Sequence, residues 1–106
     1  MEIFFEIVDK FDRIISLTKE RYTHISSRAE MTKQESKIKE TLTNPDEVRE
    51  SLRDKSAWLY YKKYPKTPVT EKYMLVVVKV LNNKGEVITA FFTDRIKKGE
   101  LVWKKD

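Results

Sequence analysis

The sequence predicts an α+β fold, in which an N-terminal β-hairpin and two helices pack on a sheet of three to four antiparallel strands. Two apolar, β-branched runs open the chain, and two segments with helix-capping residues follow them. The second half contains aromatic and valine-rich runs separated by short turns, which is typical of an antiparallel meander. At 106 residues the chain is predicted to form one domain, 1–106.

The N-terminal elements are predicted from composition and capping. Residues 2–8 are rich in Ile, Phe and Val, residues 9–12 suit a turn, and residues 13–17 form a second strand of the hairpin. Thr18 is a suitable N-cap for a first helix that extends to about Ser27.

A second helix is predicted from a capping-box pattern. Thr32 precedes Glu35 by three residues, which is the spacing of that motif. Ile38 and Leu42 are four residues apart and are expected to face the core. Asn44 ends the helix, because the residue before a proline disfavours the helical region.

The remaining segments are predicted as strands, with one exception. Residues 45–51 are compatible with either a short helix or an irregular strand. Residues 58–64 are predicted as a strand because of their aromatic content, and residues 73–81 as the central strand because they are the most apolar. Residues 86–93 and 101–104 complete the predicted sheet.

Charge and composition narrow the functional classes. The formal net charge is +5 and the sequence pI is about 9.4, a balance that favours acidic partners such as nucleic acid. There is no cysteine, which excludes disulfides, thiolate nucleophiles and zinc–thiolate sites. No apolar run approaches the roughly 18 residues of a membrane span, and acidic residues near the N-terminus argue against a signal peptide. We therefore expect a soluble cytoplasmic protein with no membrane partner.

The first candidate site is the only histidine, His24, with Arg28 four residues later. On a helix this spacing places both side chains on one face. Histidine is the residue type best suited to proton transfer near neutral pH, and a guanidinium binds phosphate. The alternative is an ordinary surface histidine without a function.

The second candidate site depends on the turn at residues 82–85. A three-residue loop with Gly85 in the left-handed region would place Lys79 opposite Thr89, whereas a two-residue loop would place it opposite Ile88. Under the first register three polar side chains share one sheet face with Tyr73: Lys79, Thr89 and Thr93. The alternative is a half-solvated sheet face without a function.

The third candidate is the aromatic strand. Alternation places Trp58, Tyr60, Lys62 and Tyr64 on one side of the strand and Tyr61 on the other. Aromatic rings beside cations can stack bases and hold phosphates. We expect one tyrosine to pack in the core, and the other to bind substrate together with Lys62.

The chemistry that these candidates allow is limited. The sequence has no second histidine for a metal cluster and no glycine-rich phosphate loop, so neither a metal nor a cofactor is expected. RNA supplies its own nucleophile, the 2′-OH, and its cleavage needs a base, cations and a proton donor. Two alternatives are a non-catalytic nucleic-acid-binding module and a toxin–antitoxin partner that binds an acidic protein.

Four segments together resemble a known group of proteins. They are YTHISSR, IKETLTNPDEV, LYYK, and LVVVK followed by VITAF. Their order and spacing between His24 and Trp103 are similar to those of phage- and mobile-element-associated domains of the barnase, EndoU, colicin-type and RelE nuclease superfamily. The resemblance implies a RelE- or barnase-like fold and metal-independent cleavage of RNA, tRNA included. It also implies a toxin-like role with an acidic antitoxin or immunity protein as partner.

The resemblance also implies roles for individual residues. His24 and Arg28 match the helix motif, and Thr89 matches the strand that contains VITAF; these three are the predicted catalytic residues, with His24 as general base. The predicted substrate-binding residues are Tyr60, Tyr61, Lys62, Lys79 and Thr93. The chain departs from the pattern at Ala29, where related domains often carry a second histidine, so a mechanism with one histidine is expected.

Overall fold

The structure is a computed structural model and describes residues 2–106. Seven strands, two α-helices and one 3₁₀ turn follow each other along the chain: β1 (Ile3–Val8), β2 (Ile14–Thr18), α1 (Lys19–Ser26), the 3₁₀ turn (Ala29–Met31), α2 (Glu35–Thr43), β3 (Glu47–Ser51), β4 (Ala57–Lys63), β5 (Tyr73–Leu81), β6 (Lys84–Thr93) and β7 (Gly99–Lys104). In this described part of the chain, neither helix has the length and apolar composition needed to cross a membrane.

All seven strands belong to one mixed sheet with the order β1-β2-β6-β5-β4-β3-β7. The predicted antiparallel sheet of three to four strands is therefore wrong. The N-terminal hairpin joins the sheet, because β2 pairs in parallel with β6 over residues 14–16 and 84–86. Residues 47–51 form β3 rather than a helix and lie between β4 and β7. The prediction that residues 73–81 are central is confirmed, since β5 is the middle strand.

The N-terminal hairpin and the cap of α1 are confirmed. In the turn, Asp9 Oδ1 accepts hydrogen bonds from Phe11 N at 2.9 Å and Arg13 N at 2.8 Å. Thr18 Oγ1 accepts from Arg21 N at 3.2 Å and so caps the first turn of α1.

The predicted capping box of the second helix is wrong. Helix α2 begins at Glu35, and its N-cap Gln34 makes no side-chain cap hydrogen bond. Thr32 instead ends the 3₁₀ turn, and Lys33 has a φ of 62°, so the chain reverses between the expected cap and the helix. Ile38 and Leu42 are fully buried, as predicted.

The core lies between α2 and one face of the sheet. Apolar side chains of the hairpin, α2 and the central strands form one buried cluster, which includes Phe5, Ile15, Leu17, Ile38, Leu42, Tyr60, Met74, Val76, Val78, Val87, Ala90 and Phe92. Because side chains alternate along β5, Tyr73, Leu75, Val77 and Lys79 lie on the opposite face. We call this opposite face of β4, β5 and β6 the open face.

The β5–β6 hairpin has a register that neither sequence alternative anticipated. Its loop is Asn82–Asn83, so Lys79 lies opposite Glu86 rather than Thr89 or Ile88. Asn82 takes the left-handed conformation, with a φ of 56°, and both glycines have negative φ.

Gly85 serves the packing of the core rather than the turn. A Cβ at this position would lie 2.7 Å from Ile15 Cδ1 and 2.8 Å from Val78 Cγ1. A bulge at Ile88 then shifts the register so that Thr89 lies opposite Val77. The three predicted polar side chains therefore do share the open face with Tyr73: Lys79, Thr89 and Thr93.

Candidate functional site

His24 and Arg21 project from α1 beside the bulged part of β6. His24 is exposed, and together with Arg21, Glu86 and Ile88 it lines an open groove of about 500 Å³. We call this the His24 groove. Two hydrogen bonds attach Arg21 to β6 in this groove: its Nε donates to Glu86 Oε1 at 3.0 Å, and a terminal nitrogen donates to the Ile88 carbonyl at 3.3 Å. A histidine, a guanidinium and two carboxylates, those of Glu20 and Glu86, thus line one groove.

Arg28 does not share a helical face with His24. Helix α1 ends at Ser26, and Arg28 lies in extended backbone with a φ of −81° and a ψ of 132°. Its guanidinium carbon is 5.5 Å from the centre of the Phe91 ring, which lies on the open face opposite Leu75. Arg28 is therefore directed toward the Phe91 ring on the open face and does not line the His24 groove.

Lys79 lines a second, larger groove that adjoins the first. This groove has a volume of about 780 Å³ and shares Arg21, Glu86 and Ile88 with the His24 groove. Lys79 Nζ donates to Asp54 Oδ2 at 2.6 Å. Hydrogen bonds from Lys79 and then from Ser56 lower the pKa of Asp54 to about 2, so the pair is ionised at neutral pH.

Tyr61 packs under the open face and supports the β6–β7 loop. Its side chain is fully buried, and its hydroxyl accepts a hydrogen bond from Lys97 N at 3.1 Å. Burial raises the pKa of Tyr61, so the hydroxyl is neutral. Lys97 Nζ lies 5.3 Å from the centre of the Phe91 ring, which places a second cation beside Arg28.

A comparison with known protein families identifies a nuclease family. A family model described as phage-Barnase-EndoU-ColicinE5/D-RelE like nuclease 2 matches residues 5–104. The chain belongs to this nuclease family. The match covers nearly the whole chain, so the resemblance predicted from the sequence is confirmed. Searches of curated proteins and of solved structures returned no match.

Four predicted substrate-binding residues of this nuclease-family chain lie away from both grooves: Tyr61, described above, and the three that follow. Tyr60 is fully buried, and its hydroxyl donates to Asp9. Lys62 Nζ donates to the Asn44 carbonyl at 3.0 Å, and only 13% of its side chain is exposed. Thr93 is buried and donates to a backbone carbonyl of the β6–β7 loop.

Thr89, by contrast, is half-buried on the open face, opposite Val77.

Desolvation and the hydrogen bond to Asp9 raise the pKa of Tyr60 far above its usual value, so its hydroxyl is also neutral.

Sequence reasoning missed several residues that lie in the two grooves or on the open face of this nuclease-family chain. Arg21 precedes His24 by three residues, which is a helical spacing that could have identified it. Glu86, Phe91 and Lys97 have no such signal, because their position depends on the β5–β6 register and on the path of the β6–β7 loop. Within residues 2–106 no group of three or more His, Asp or Glu side chains is placed to hold a metal ion.

Proposed function

We propose that this nuclease-family chain is an endoribonuclease that cleaves RNA without a metal ion, by attack of a 2′-OH on the adjacent phosphodiester. The observation that carries the proposal is the His24 groove, in which His24, Arg21 and Glu86 lie together. The groove provides a group that can take a proton and one guanidinium, Arg21, which is paired with Glu86. Glu20 also lines the groove, so the cations that balance the charge of a phosphate are proposed to come from beside it.

The proposed reaction uses His24 as general base. Its unprotonated ring nitrogen takes the 2′-OH proton while the 2′-oxygen bonds to phosphorus and the bond from phosphorus to the 5′-oxygen breaks. The leaving 5′-oxygen receives a proton from the His24 imidazolium or from water. The products are a 2′,3′-cyclic phosphate and a 5′-hydroxyl, and no oxidant or cofactor is consumed.

The cations are proposed to stabilise the phosphate as negative charge develops on it. Arg28 lies beside the open face, and Lys79 lines the groove that adjoins His24. Each is proposed to bind a phosphate of the RNA, and the Thr89 hydroxyl on the open face can donate a hydrogen bond to it. Arg21 is proposed to orient Glu86, since it already binds that carboxylate.

The test is cleavage of single-stranded RNA by the purified protein in the presence of a chelator. We expect His24→Gln to lower the cleavage rate by about 10²–10⁴-fold, the usual contribution of a general base or acid. Lys66→Ala changes an exposed residue of the β4–β5 loop and serves as the matched control. A 2′-deoxy substitution at the cut site should abolish cleavage. Equal rates for the wild type and His24→Gln would refute the role of His24.

A second candidate is a non-catalytic nucleic-acid-binding module on the same fold. Lys79 lies in a different groove from His24 and is already paired with Asp54, which argues against one catalytic centre that contains both. This alternative predicts RNA binding that weakens steeply with salt, and no cleavage under any condition. Cleavage that depends on His24 would rule it out.

A toxin-like role in the cytoplasm, with RNA as substrate and an acidic antitoxin or immunity protein as partner, is part of the same proposal. The net charge of +5 and the cations around the open face support an acidic partner. Expression in bacteria is the test, because an active toxin should arrest growth and His24→Gln should relieve the arrest. Equal growth with both proteins would count against the toxin role.

A further inference from the structure

We propose that Phe91, Arg28 and Lys97 form a nucleotide-binding subsite that accepts one unpaired base of single-stranded RNA together with its phosphate. The inference rests on the proposed function, because it names the form of RNA that the same face binds. It assigns a role to three residues from separate parts of the chain: Arg28 lies just after α1, Phe91 in β6, and Lys97 in the β6–β7 loop.

The Phe91 ring is placed where a base could reach it. Phe91 pairs with Leu75 and is half-buried, whereas its neighbour Phe92 points into the core. Along β6, side chains alternate between the two faces, so Phe91 shares the open face with Thr89. An aromatic ring that is only half covered on a sheet can stack with a nucleobase.

Two cations converge on this ring. The Arg28 guanidinium carbon lies 5.5 Å and the Lys97 ammonium 5.3 Å from its centroid, so both charges lie over the same ring. Within residues 2–106 neither cation has a carboxylate at ion-pair distance, whereas Arg21, Arg49 and Lys79 each have one. A phosphate beside the ring would supply the counter-charge that both cations lack, and a base that stacks with the ring would take the place of one of them over its face.

The position of Lys97 is set by the fold. Its backbone N–H donates to the hydroxyl of Tyr61, a fully buried residue under the open face. Arg28 is placed by its backbone, whose N–H donates to the Ile25 carbonyl at 3.4 Å at the end of α1. The backbones of the two cations are therefore attached to separate parts of the molecule, and their exposed side chains are free to move toward a phosphate.

The subsite requires single-stranded RNA for a geometric reason. In a duplex each base is stacked on both sides and its edges face its partner, so a protein ring cannot stack with it. An unpaired base exposes its face to Phe91 while its phosphate reaches Arg28 and Lys97. The subsite thus predicts selection for loops, bulges or ends rather than for a particular base.

The first experiment measures binding without cleavage. A 2′-O-methyl oligonucleotide lacks the nucleophile, and its affinity is measured by fluorescence anisotropy for the single strand and for the matching duplex. We expect the wild type to prefer the single strand, and Phe91→Leu to weaken its binding by about 5- to 100-fold. Phe91→Tyr retains the ring and should restore the affinity, and the melting temperature of each variant verifies that it is folded.

The second experiment measures the salt dependence of binding to the same single strand. Lys97→Ala should reduce the slope of log affinity against log salt by about 0.7, the value for one lost phosphate contact on a single strand. Lys98→Ala removes a neighbouring exposed lysine and should leave the slope unchanged.

Equal affinity of folded Phe91→Leu and wild type would overturn the subsite, and so would equal slopes for Lys97→Ala and Lys98→Ala. Failure of the proposed function is distinguishable from these results. Loss of single-strand affinity in Phe91→Leu supports the subsite even if the wild type cleaves no RNA. Cleavage that depends on His24 but not on Phe91 would retain the enzyme and reject the subsite.

Discussion

Removal of the Tyr60 hydroxyl should destabilise the fold and leave RNA binding unchanged. Tyr60 is fully buried, and its hydroxyl donates to Oδ2 of Asp9, of which only 5% is exposed. The other oxygen of Asp9 accepts two backbone N–H groups of the hairpin turn. This hydrogen bond therefore connects the tip of the N-terminal hairpin to strand β4.

The magnitude follows from what Tyr60→Phe removes. The ring stays in place, so no cavity forms, and the loss is one hydrogen bond to a buried carboxylate, about 1.5–3 kcal/mol. For a domain of this size each kcal/mol lowers the Tm by about 4–8 °C. Tyr64→Phe is the matched control, because the Tyr64 hydroxyl donates to the exposed Glu40 at 2.6 Å and water can replace it. We expect that variant to lose about 0.5–1 kcal/mol.

Urea unfolding measures both free energies, and anisotropy with single-stranded RNA well below the Tm measures binding. Alkaline pH gives an independent readout of Tyr60. Its pKa is raised in the folded state, so its contribution to stability is complete below about pH 10, the range of an unfolded tyrosine, and is lost as pH rises further. Tyr60→Phe should reduce that alkaline loss. An unchanged unfolding free energy, or weaker RNA binding by the folded variant, would refute the structural role.

Three further predictions concern stability and are measured by urea or thermal unfolding. Gly99→Ala should cost about 1–3 kcal/mol, because its Cβ would collide with the Glu50 carbonyl oxygen in the β3–β7 pair; wild-type stability would contradict that packing. Ile38→Ala should cost about 2–5 kcal/mol, since Ile38 is fully buried in α2, and a loss below 1 kcal/mol, marking an exposed position, would contradict its burial. The hydrogen bond from Lys79 is the main reason that the pKa of Asp54 is lowered to about 2 in the folded protein. The ionised Asp54 therefore stabilises the fold above about pH 3.8, and this contribution is lost as pH falls toward 2. Asp54→Asn should make stability less dependent on pH in that window, and an unchanged acid profile would argue against the ion pair.

Local sequence patterns predicted most of the elements but not their assembly. Thr18 caps α1 and residues 73–81 form the central strand, because capping and strong apolar character act within a few residues. The parallel contact between β2 and β6 joins positions about 70 residues apart, and no local pattern marks it. Residues 47–51 become a strand because β4 and β7 pair with them on both sides.

The candidate site was predicted only in part, because local patterns do not give the contacts between distant segments. His24 was identified as a residue type, and Lys79 and Thr89 were placed on the correct face by alternation. Their register was wrong, because Asn82 rather than Gly85 adopts the left-handed conformation. Alternation correctly separated Tyr60 from Tyr61, but it could not show that the Tyr60 side faces the core.

Two irregularities that the sequence does not predict position the candidate site: the short pairing of β2 with β6 and the bulge at Ile88. The parallel pairing of β2 with β6 stops at Glu86, so α1 begins beside the next residues of β6 instead of a strand. The bulge at Ile88 interrupts the ladder there, and its carbonyl accepts the Arg21 guanidinium. In a regular β6 without the bulge, Glu86 and Thr89 would lie on opposite faces of the sheet, because they are three residues apart and side chains alternate. The His24 groove and the open face therefore meet because the sheet is irregular at this point.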